Sequence, residues 1–296
     1  MKVLLLYNPK SGTRSFPAQL DYVIDRFQSE GMQIIPYRMK NIQSVEAYLE
    51  KLDFSDIKKI IVSGGDGTVH QVVNLMKKLD IQRPLAIFPS GTANDFAQYF
   101  EIPKDVMGMT EIALTDHYVK CDLGKANDKY FINVASFGNL VDISQRVNEQ
   151  TKNVIGVLAY YIKGVEEISK LKTFEATITV DGNTFIENIY FALIMNGRSA
   201  GGFRKLAPYS DVTDGLLDVL IFKKCPLLDL MPLMVQVLNG EHPKSDYIQY
   251  IQGKQIYVNC EEEITSDLDG ETGPQLPLDI QVLAGGIEIN SLILQK

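Results

Sequence analysis

Unbroken apolar runs alternate with helically spaced ones over the first third of the chain. Val3 to Tyr7 is a continuous apolar run ending in a Pro/Gly/Ser turn, the pattern of a strand buried on both faces. Leu20, Val23, Ile24 and Phe27 follow at helical spacing, with Gly31 where a C-terminal cap belongs. Ile34 to Tyr37 predicts a second strand, and Ile42, Val45, Leu49 and Leu52 a second helix. Ile60 to Val62 gives a third strand, backed by a helix carrying Val69, Val72, Val73, Met76 and Leu79. Leu85 to Phe88 gives a fourth, ended by Pro89-Ser90-Gly91. A βαβαβαβ order predicts a parallel sheet covered by helices.

Beyond about residue 120 the pattern changes. Thr177–Val180 and Ile186–Met195 flank Asp181-Gly182-Asn183, and Asp-Gly between alternating segments predicts a hairpin. Further β runs fall at Leu216–Phe222, Tyr247–Ile251, Gln255–Asn259, Leu278–Leu283 and Ile287–Ile289, with helical insertions near 153–170 and 226–239. The expectation is an α/β domain followed by an antiparallel β domain. A length of 296 residues, set against ~150 per domain, agrees with two. The division taken is 1–124 and 125–286, with 287–296 left open to return to the first domain.

Composition narrows the partners. The 45% hydrophobic and 22% charged content is that of a globular chain rather than a disordered one. No run approaches the ~20 apolar residues that span a bilayer, and the apolar opening stops at Asn8-Pro9, too short for a signal peptide. A cytoplasmic protein is expected. A net charge of -8 disfavours nucleic acid as a partner, and disfavours wholesale adhesion to an anionic membrane. Cys121, Cys225 and Cys260 lie far apart without a CxxC, so they read as reduced, buried thiols and zinc is excluded.

Three sharp turns fall at the carboxyl ends of the first domain's strands, where open α/β sheets place their ligands. They are Asn8-Pro9-Lys10-Ser11-Gly12, Gly64-Gly65-Asp66-Gly67-Thr68 and Pro89-Ser90-Gly91-Thr92-Ala93-Asn94-Asp95. All are Gly-rich and all precede a helix, so backbone amides at a helix N-terminus can meet an anion. Lys10 and Arg14 add charge to the first loop, and phosphate is the expected ligand. A Walker A string is absent, as is GxGxxG after a strand. Asp66 and Asp95 would repel a polyphosphate unless a cation intervened, which points to Mg²⁺ and to phosphoryl transfer from a nucleotide.

GGDGT at 64–68 with PSGTANDFA at 89–97 resembles the diacylglycerol kinase catalytic-domain family, especially its soluble bacterial lipid kinases. NPKSG at 8–12, Asn133-Val134-Ala135, GRSAGGFRKLAP at 197–208, DGLLDVLIF at 214–222 and Asp269-Gly270-Glu271 follow in family order, so the likeness covers nearly the whole chain. The resemblance implies a nucleotide-binding α/β domain, a β-sandwich domain that takes the lipid, and a site in the cleft between them. It implies ATP on Asn8, Pro9, Lys10, Ser11 and Gly12, on Gly64, Gly65, Asp66, Gly67, Thr68, Val69 and His70, and on Thr92. Glu271 is the implied general base. Asp214, with carbonyls of Asp211 and Leu216, is an implied metal site. Asp66, Asp95 and Asp122 match an acid network beside the phosphates that holds the catalytic Mg²⁺.

Two positions depart from the family pattern. Gln71 stands where a Glu is usual, and Tyr37-Arg38-Met39-Lys40 lacks a Thr that often touches nucleotide. The expected reaction is transfer of the γ-phosphate to the hydroxyl of diacylglycerol or a related lipid, giving phosphatidic acid, with peripheral and transient membrane contact. Val154 to Leu171, with Tyr160, Tyr161, Ile162, Val165 and Ile168, is the segment expected to touch acyl chains while packing mostly on the β domain. Arg198 and Arg204 are expected at phosphate, at headgroup or in solvent. His70 reads as a helix residue rather than a catalyst, and His117 and His242 as exposed. Exposed sheet edges leave room for a homodimer. The alternatives are an NAD kinase-like enzyme on the same fold and a non-catalytic nucleotide- or lipid-sensing module.

Overall fold

A computed structural model describes residues 1–12, 14–138 and 172–292. The segment 153–170, expected to be helical, and the apolar face of Val154 to Leu171 assigned to acyl chains lie outside the described residues. The chain divides into two compact units, Met1–Leu123 with Ala284–Lys296, and Gly124–Leu283.

The first unit runs β1 (Lys2–Tyr7), α1 (Phe16–Ser29), β2 (Gln33–Arg38), α2 (Ile42–Leu49), β3 (Ile57–Gly64), α3 (Asp66–Lys78), β4 (Leu85–Pro89), α4 (Asp95–Tyr99) and α5 (Val106–Leu114). The strands pair in parallel in the order β2-β1-β3-β4. Val3 to Leu6 and Ile60 to Val62 are fully buried, as apolar runs must be when helices cover both faces. α5 was not expected from the pattern. It is short and carries Gly108, where an added Cβ would stand 2.7 Å from Pro103; Asp105 starts it by accepting from the Gly108 amide at 2.8 Å.

Lys59 of β3 is buried and ties this unit together. Its Nζ donates to the carbonyls of Ala113 at 2.9 Å and Thr115 at 2.6 Å, and to Asn290 Oδ1 at 3.2 Å. The first two are orphan carbonyls at the end of α5, where a cation is favoured. Burial pushes the Lys59 ammonium down to about 8.

β5 (Tyr118–Ala126) carries the chain into the second unit. There follow β6 (Lys129–Phe131), β7 (Val134–Gly138), β8 (Phe174–Val180), β9 (Asn183–Met195), β10 (Leu217–Lys223), α6 (Leu230–Asn239), β11 (Ile248–Gly253), β12 (Gln255–Cys260), β13 (Thr265–Leu268), β14 (Glu271–Gln275) and β15 (Leu278–Asn290). Pairing among β7 to β14 is antiparallel, and the unit is a β-sandwich. β9 pairs with β8 along its first half and with both β7 and β10 along its second. Alternation sorts β10 cleanly. Leu217, Val219 and Ile221 enter the sandwich core with Phe137, Ile178, Ile194 and Val258. Leu220 and Phe222 face the other way, under Leu230, Leu233 and Val237 of α6.

Several expectations need correction. Leu278–Leu283 and Ile287–Ile289 belong to the single strand β15; its first part pairs with β12 and Ile289 pairs with Leu85 of β4. The break in alternation at Ala284-Gly285-Gly286 marks where β15 passes from one unit to the other. His242 is buried rather than exposed, because its polar neighbours form a 3-10 turn that carries the ring inward, with Nε2 2.8 Å from the Leu206 carbonyl oxygen. Cys260, at the end of β12, is half-buried, whereas Cys121 and Cys225 are buried as expected. Among the described residues, no helix is long and apolar enough to cross a membrane.

Candidate active site

Each strand of the first unit that ends in a Gly-rich string turns into a helix through a loop, and the three loops interlock. The Asn8 amide donates to the Ser63 carbonyl at 2.9 Å, and Asn8 Nδ2 donates to Thr68 Oγ1 at 3.1 Å. Asn8 Oδ1 accepts from the Lys10 amide at 3.0 Å, which shapes the first loop. The Ser90 amide donates to the Gly64 carbonyl at 3.0 Å. Asn94, at φ 52, closes the third loop on itself: Oδ1 accepts from the Gly91 amide and Nδ2 donates to the Gly91 carbonyl, each at 2.9 Å.

Side chains are excluded where these backbones meet. A Cβ on Gly12, at φ +48, would collide with the Ser90 carbonyl oxygen, and one on Gly91 would collide with Cα of Gly65. Asp66 opens α3 and its Oδ1 accepts from the Phe96 amide at 3.3 Å, joining the second loop to the start of α4. What results is a closely packed main-chain edge with two carboxylates at helix N-termini, Asp66 and Asp95. Helix N-termini favour anions.

Not every expected residue lies on that surface. Lys10, Gly12 and Thr92 are exposed, whereas Thr68, Val69 and His70 are buried within α3. His70 is a helix residue, with its ring nitrogen Nε2 3.4 Å from Asn74 Nδ2. Asp122 on β5 is buried, and its Oδ1 accepts from the Gly285 amide at 2.7 Å. Among the described residues, no three His, Cys, Asp or Glu side chains gather into a group that could hold a metal. An ion held near Asp66, Asp95 and Asp122 would need phosphate oxygens or water to complete its shell.

In the second unit, Asp211 to Leu216 form one tight turn. The Asp214 amide donates to the Asp211 carbonyl at 3.3 Å, and Asp214 Oδ1 accepts from the Leu216 amide at 2.9 Å. The turn gathers one exposed carboxylate with main-chain carbonyls, a donor set of the hard-oxygen kind that suits Mg²⁺. Asp218, two residues on, is buried beneath the Tyr250 hydroxyl; burial pushes its carboxyl up to about 6. Arg198 is held by its Nε on the Ser210 carbonyl at 2.7 Å, and Arg204 is exposed.

Glu271 is exposed at the start of β14. Leu268 pairs with Glu271 across a two-residue loop, and Asp269 and Gly270 both have positive φ. This is the type I′ geometry that Asp-Gly favours. The Asp269 carboxylate reaches across to β7 and the loop before it. Oδ2 accepts from the Ile132 amide at 2.7 Å, and Oδ1 from the Asn133 and Val134 amides, both at 2.9 Å. Three main-chain donors on one carboxylate fix the hairpin tip that carries Glu271. Sequence reasoning singled out Glu271 and overlooked the holding role of Asp269; it likewise passed over Asn94.

Residues 2–126 match the family model described as the diacylglycerol kinase catalytic domain, and residues 133–291 match the YegS C-terminal NAD kinase beta sandwich-like domain. A Bacillus subtilis (strain 168) protein named diacylglycerol kinase is 34% identical over 274 residues, covering 92% of this chain and 90% of that protein. The chain belongs to the diacylglycerol kinase family. It is thus an enzyme of the lipid-kinase class, which transfers phosphate to an alcohol. A diacylglycerol kinase from Staphylococcus aureus (strain bovine RF122 / ET3-1) is 31% identical, with 96% of this chain and 90% of that one covered. A crystal structure from Bacillus anthracis str. Sterne, itself assigned provisionally as a diacylglycerol kinase, superposes with a TM-score of 0.83 at 27% identity, covering 98% of this chain and 95% of that one. The diacylglycerol kinase fold thus extends over both units.

Proposed function

We propose that this diacylglycerol kinase family member transfers the γ-phosphate of ATP to the free hydroxyl of diacylglycerol or a closely related lipid alcohol, giving phosphatidic acid. The observation that carries the reading is the backbone-to-backbone closure of the three loops at Gly12, Gly65 and Gly91. The close approach of main chain there leaves the edge open to phosphates at the N-termini of the following helices. Asn8 to Gly12, Gly64 to His70 and Thr92 would line the nucleotide.

Glu271 is the general base in this reading. Its carboxylate takes the proton of the acceptor hydroxyl as that oxygen bonds to the γ-phosphorus, and the bridging P–O bond to the β-phosphate breaks with ADP keeping the electron pair. Asp66, Asp95 and Asp122 would stand with the catalytic Mg²⁺, and Asp214 with the carbonyls of Asp211 and Leu216 would hold a second ion. Bound Mg²⁺ supplies neutralisation of phosphate charge. Peripheral contact with a membrane brings enzyme and lipid together.

The test is phosphate transfer from ATP-Mg²⁺ to diacylglycerol in mixed micelles, with Glu271→Gln alongside. Turnover that falls about 10²–10⁴-fold while ATP binding is kept is expected. Wild-type turnover in the variant removes Glu271 from the role. Phosphorylation of NAD instead of lipid would favour the NAD kinase-like reading, and nucleotide binding without turnover on any acceptor would favour the sensing module.

A further inference from the structure

α6 of the second unit and the 3-10 turn before it, Leu227–Asp229, carry apolar side chains on both faces. Leu230, Leu233 and Val237 are buried against β9, β10 and β11. The opposite face should be polar in a surface helix, yet it presents Leu227 (65% exposed), Leu228 (88%), Met231 (42%) and Val235 (51%). Leu227, Met231 and Val235 recur every four residues, so they form one ridge along the helix, with Leu228 beside its leading end. Pro226 to Gly240 contains a single charged residue, Asp229, which accepts from the Tyr247 hydroxyl at 2.7 Å.

We infer that this ridge is a membrane-docking surface that seats in the apolar boundary of a lipid bilayer; the inference rests on the lipid-kinase reading above. Three observations favour a bilayer over another occupant. The ridge is narrow: four such side chains offer roughly 100 Å² each, well short of the ~800 Å² per partner that a stable protein interface buries. Apart from Asp229, which is bonded to Tyr247, its charged neighbours stand at its two ends, as snorkelling groups do at a membrane interface. Exposed Lys224 precedes it, and Lys205, whose stem lies 3.0 Å from a Cβ placed on the capping Gly240, and Lys244 follow it, beside exposed Glu241. Finally, in a chain of net charge -8 this is a face that approaches an anionic surface with little repulsion. A ridge of this size gives weak, reversible binding, as a kinase that must leave its product behind requires.

The experiment is sedimentation of the full chain with vesicles of phosphatidylcholine and phosphatidylglycerol in equal parts, comparing wild type with L227S/L228S. Phosphorylation of a short-chain, water-dispersed diacylglycerol and of a long-chain one held in the same vesicles is measured in parallel. Because both leucines are exposed, the variant should keep the wild-type melting profile and elution volume. The expected result is vesicle binding about 10-fold or more weaker, with turnover lost on vesicle-held lipid and kept on the dispersed one. Unchanged vesicle binding in the folded variant, or wild-type protein that does not sediment with vesicles, overturns the inference. So does a change in oligomeric mass with no change in vesicle binding, which would make the ridge a contact between copies. If wild type turns over neither lipid but the variant still loses vesicle binding, the docking surface stands and the kinase reading fails instead.

Discussion

Replacing Asp269 by Asn isolates what its carboxylate does for the hairpin that carries Glu271. Asn tolerates the positive φ of 54 at this position, so the turn itself is left in place. Its single oxygen can still accept from the Asn133 and Val134 amides, but its NH₂ then faces the Ile132 amide, 2.7 Å from the present Oδ2. One charge-assisted hydrogen bond is lost and a main-chain donor is left facing another donor, which together cost about 2 kcal/mol. Asp269→Ala removes all three hydrogen bonds and puts a less tolerant residue in the turn, for about 4 kcal/mol after water recovers part of the loss. For a unit of this size 2 kcal/mol lowers a melting midpoint by about 4–8 °C. The chain contains no Trp, so scanning calorimetry and far-ultraviolet circular dichroism are the suitable probes. The matched control is Asp181→Asn, at another Asp-Gly hairpin, whose carboxylate accepts from the Lys254 and Gln255 amides. Both substitutions should destabilise, but only Asp269→Asn should also lower kcat, by about 10-fold, with the KM for ATP unchanged. A melting shift below about 1 °C for Asp269→Asn, or equal losses of kcat in the two variants, would refute the argument.

Gly12→Ala and Gly91→Ala should each abolish measurable ATP binding, because the new Cβ meets main chain that must move; Gly31→Ala, where nothing lies within 4 Å, should cost only about 1 kcal/mol and leave titration calorimetry with ATP unchanged. Mg²⁺ should raise the melting midpoint of the wild type, and Asp214→Asn should remove most of that rise, as differential scanning fluorimetry would read. Lys59 titrates at about 8 in the folded chain against an ordinary value of 10.5. Over that window the unfolded chain holds more protons, so this residue makes stability rise with pH. Lys59→Met should be less stable at pH 7, with the Ala113 carbonyl left without the Lys59 donor and the Thr115 carbonyl keeping only the long Asn290 contact, and urea midpoints taken from pH 7 to 10 should lack the Lys59-dependent rise.

Much of the nucleotide edge was legible because its cause is local. A buried apolar strand that stops at Gly-rich residues and gives way to helical spacing has few ways to fold, and Tyr7, Gly64 and Pro89 end their strands as that pattern requires. The Asp181-Gly182 hairpin was legible for the same reason. Long-range partners were not. Nothing near Asp269 in sequence signals that its carboxylate will meet amides at 132–134, and nothing near His242 signals the Leu206 carbonyl that accepts its ring. β13 and β14 escaped because Thr265–Leu268 and Glu271–Gln275 have little apolar alternation. The helix at 226–239 was expected, but its outer face was not, since apolar residues on both sides leave no period to show which side is covered.

The return of β15 has a consequence for synthesis on the ribosome. Ile289 pairs with Leu85, and Asn290 accepts from Lys59 while its own Nδ2 donates to the His117 carbonyl at 2.8 Å. These partners leave the exit tunnel after every earlier strand of both units. A nascent chain that has already completed its sandwich strands still holds an α/β half whose buried lysine lacks one acceptor and whose fourth strand has a bare edge. That half acquires its full complement only once residues 289 and 290 have been made, so a stall or truncation just before them would release a protein defective in its earliest-made part.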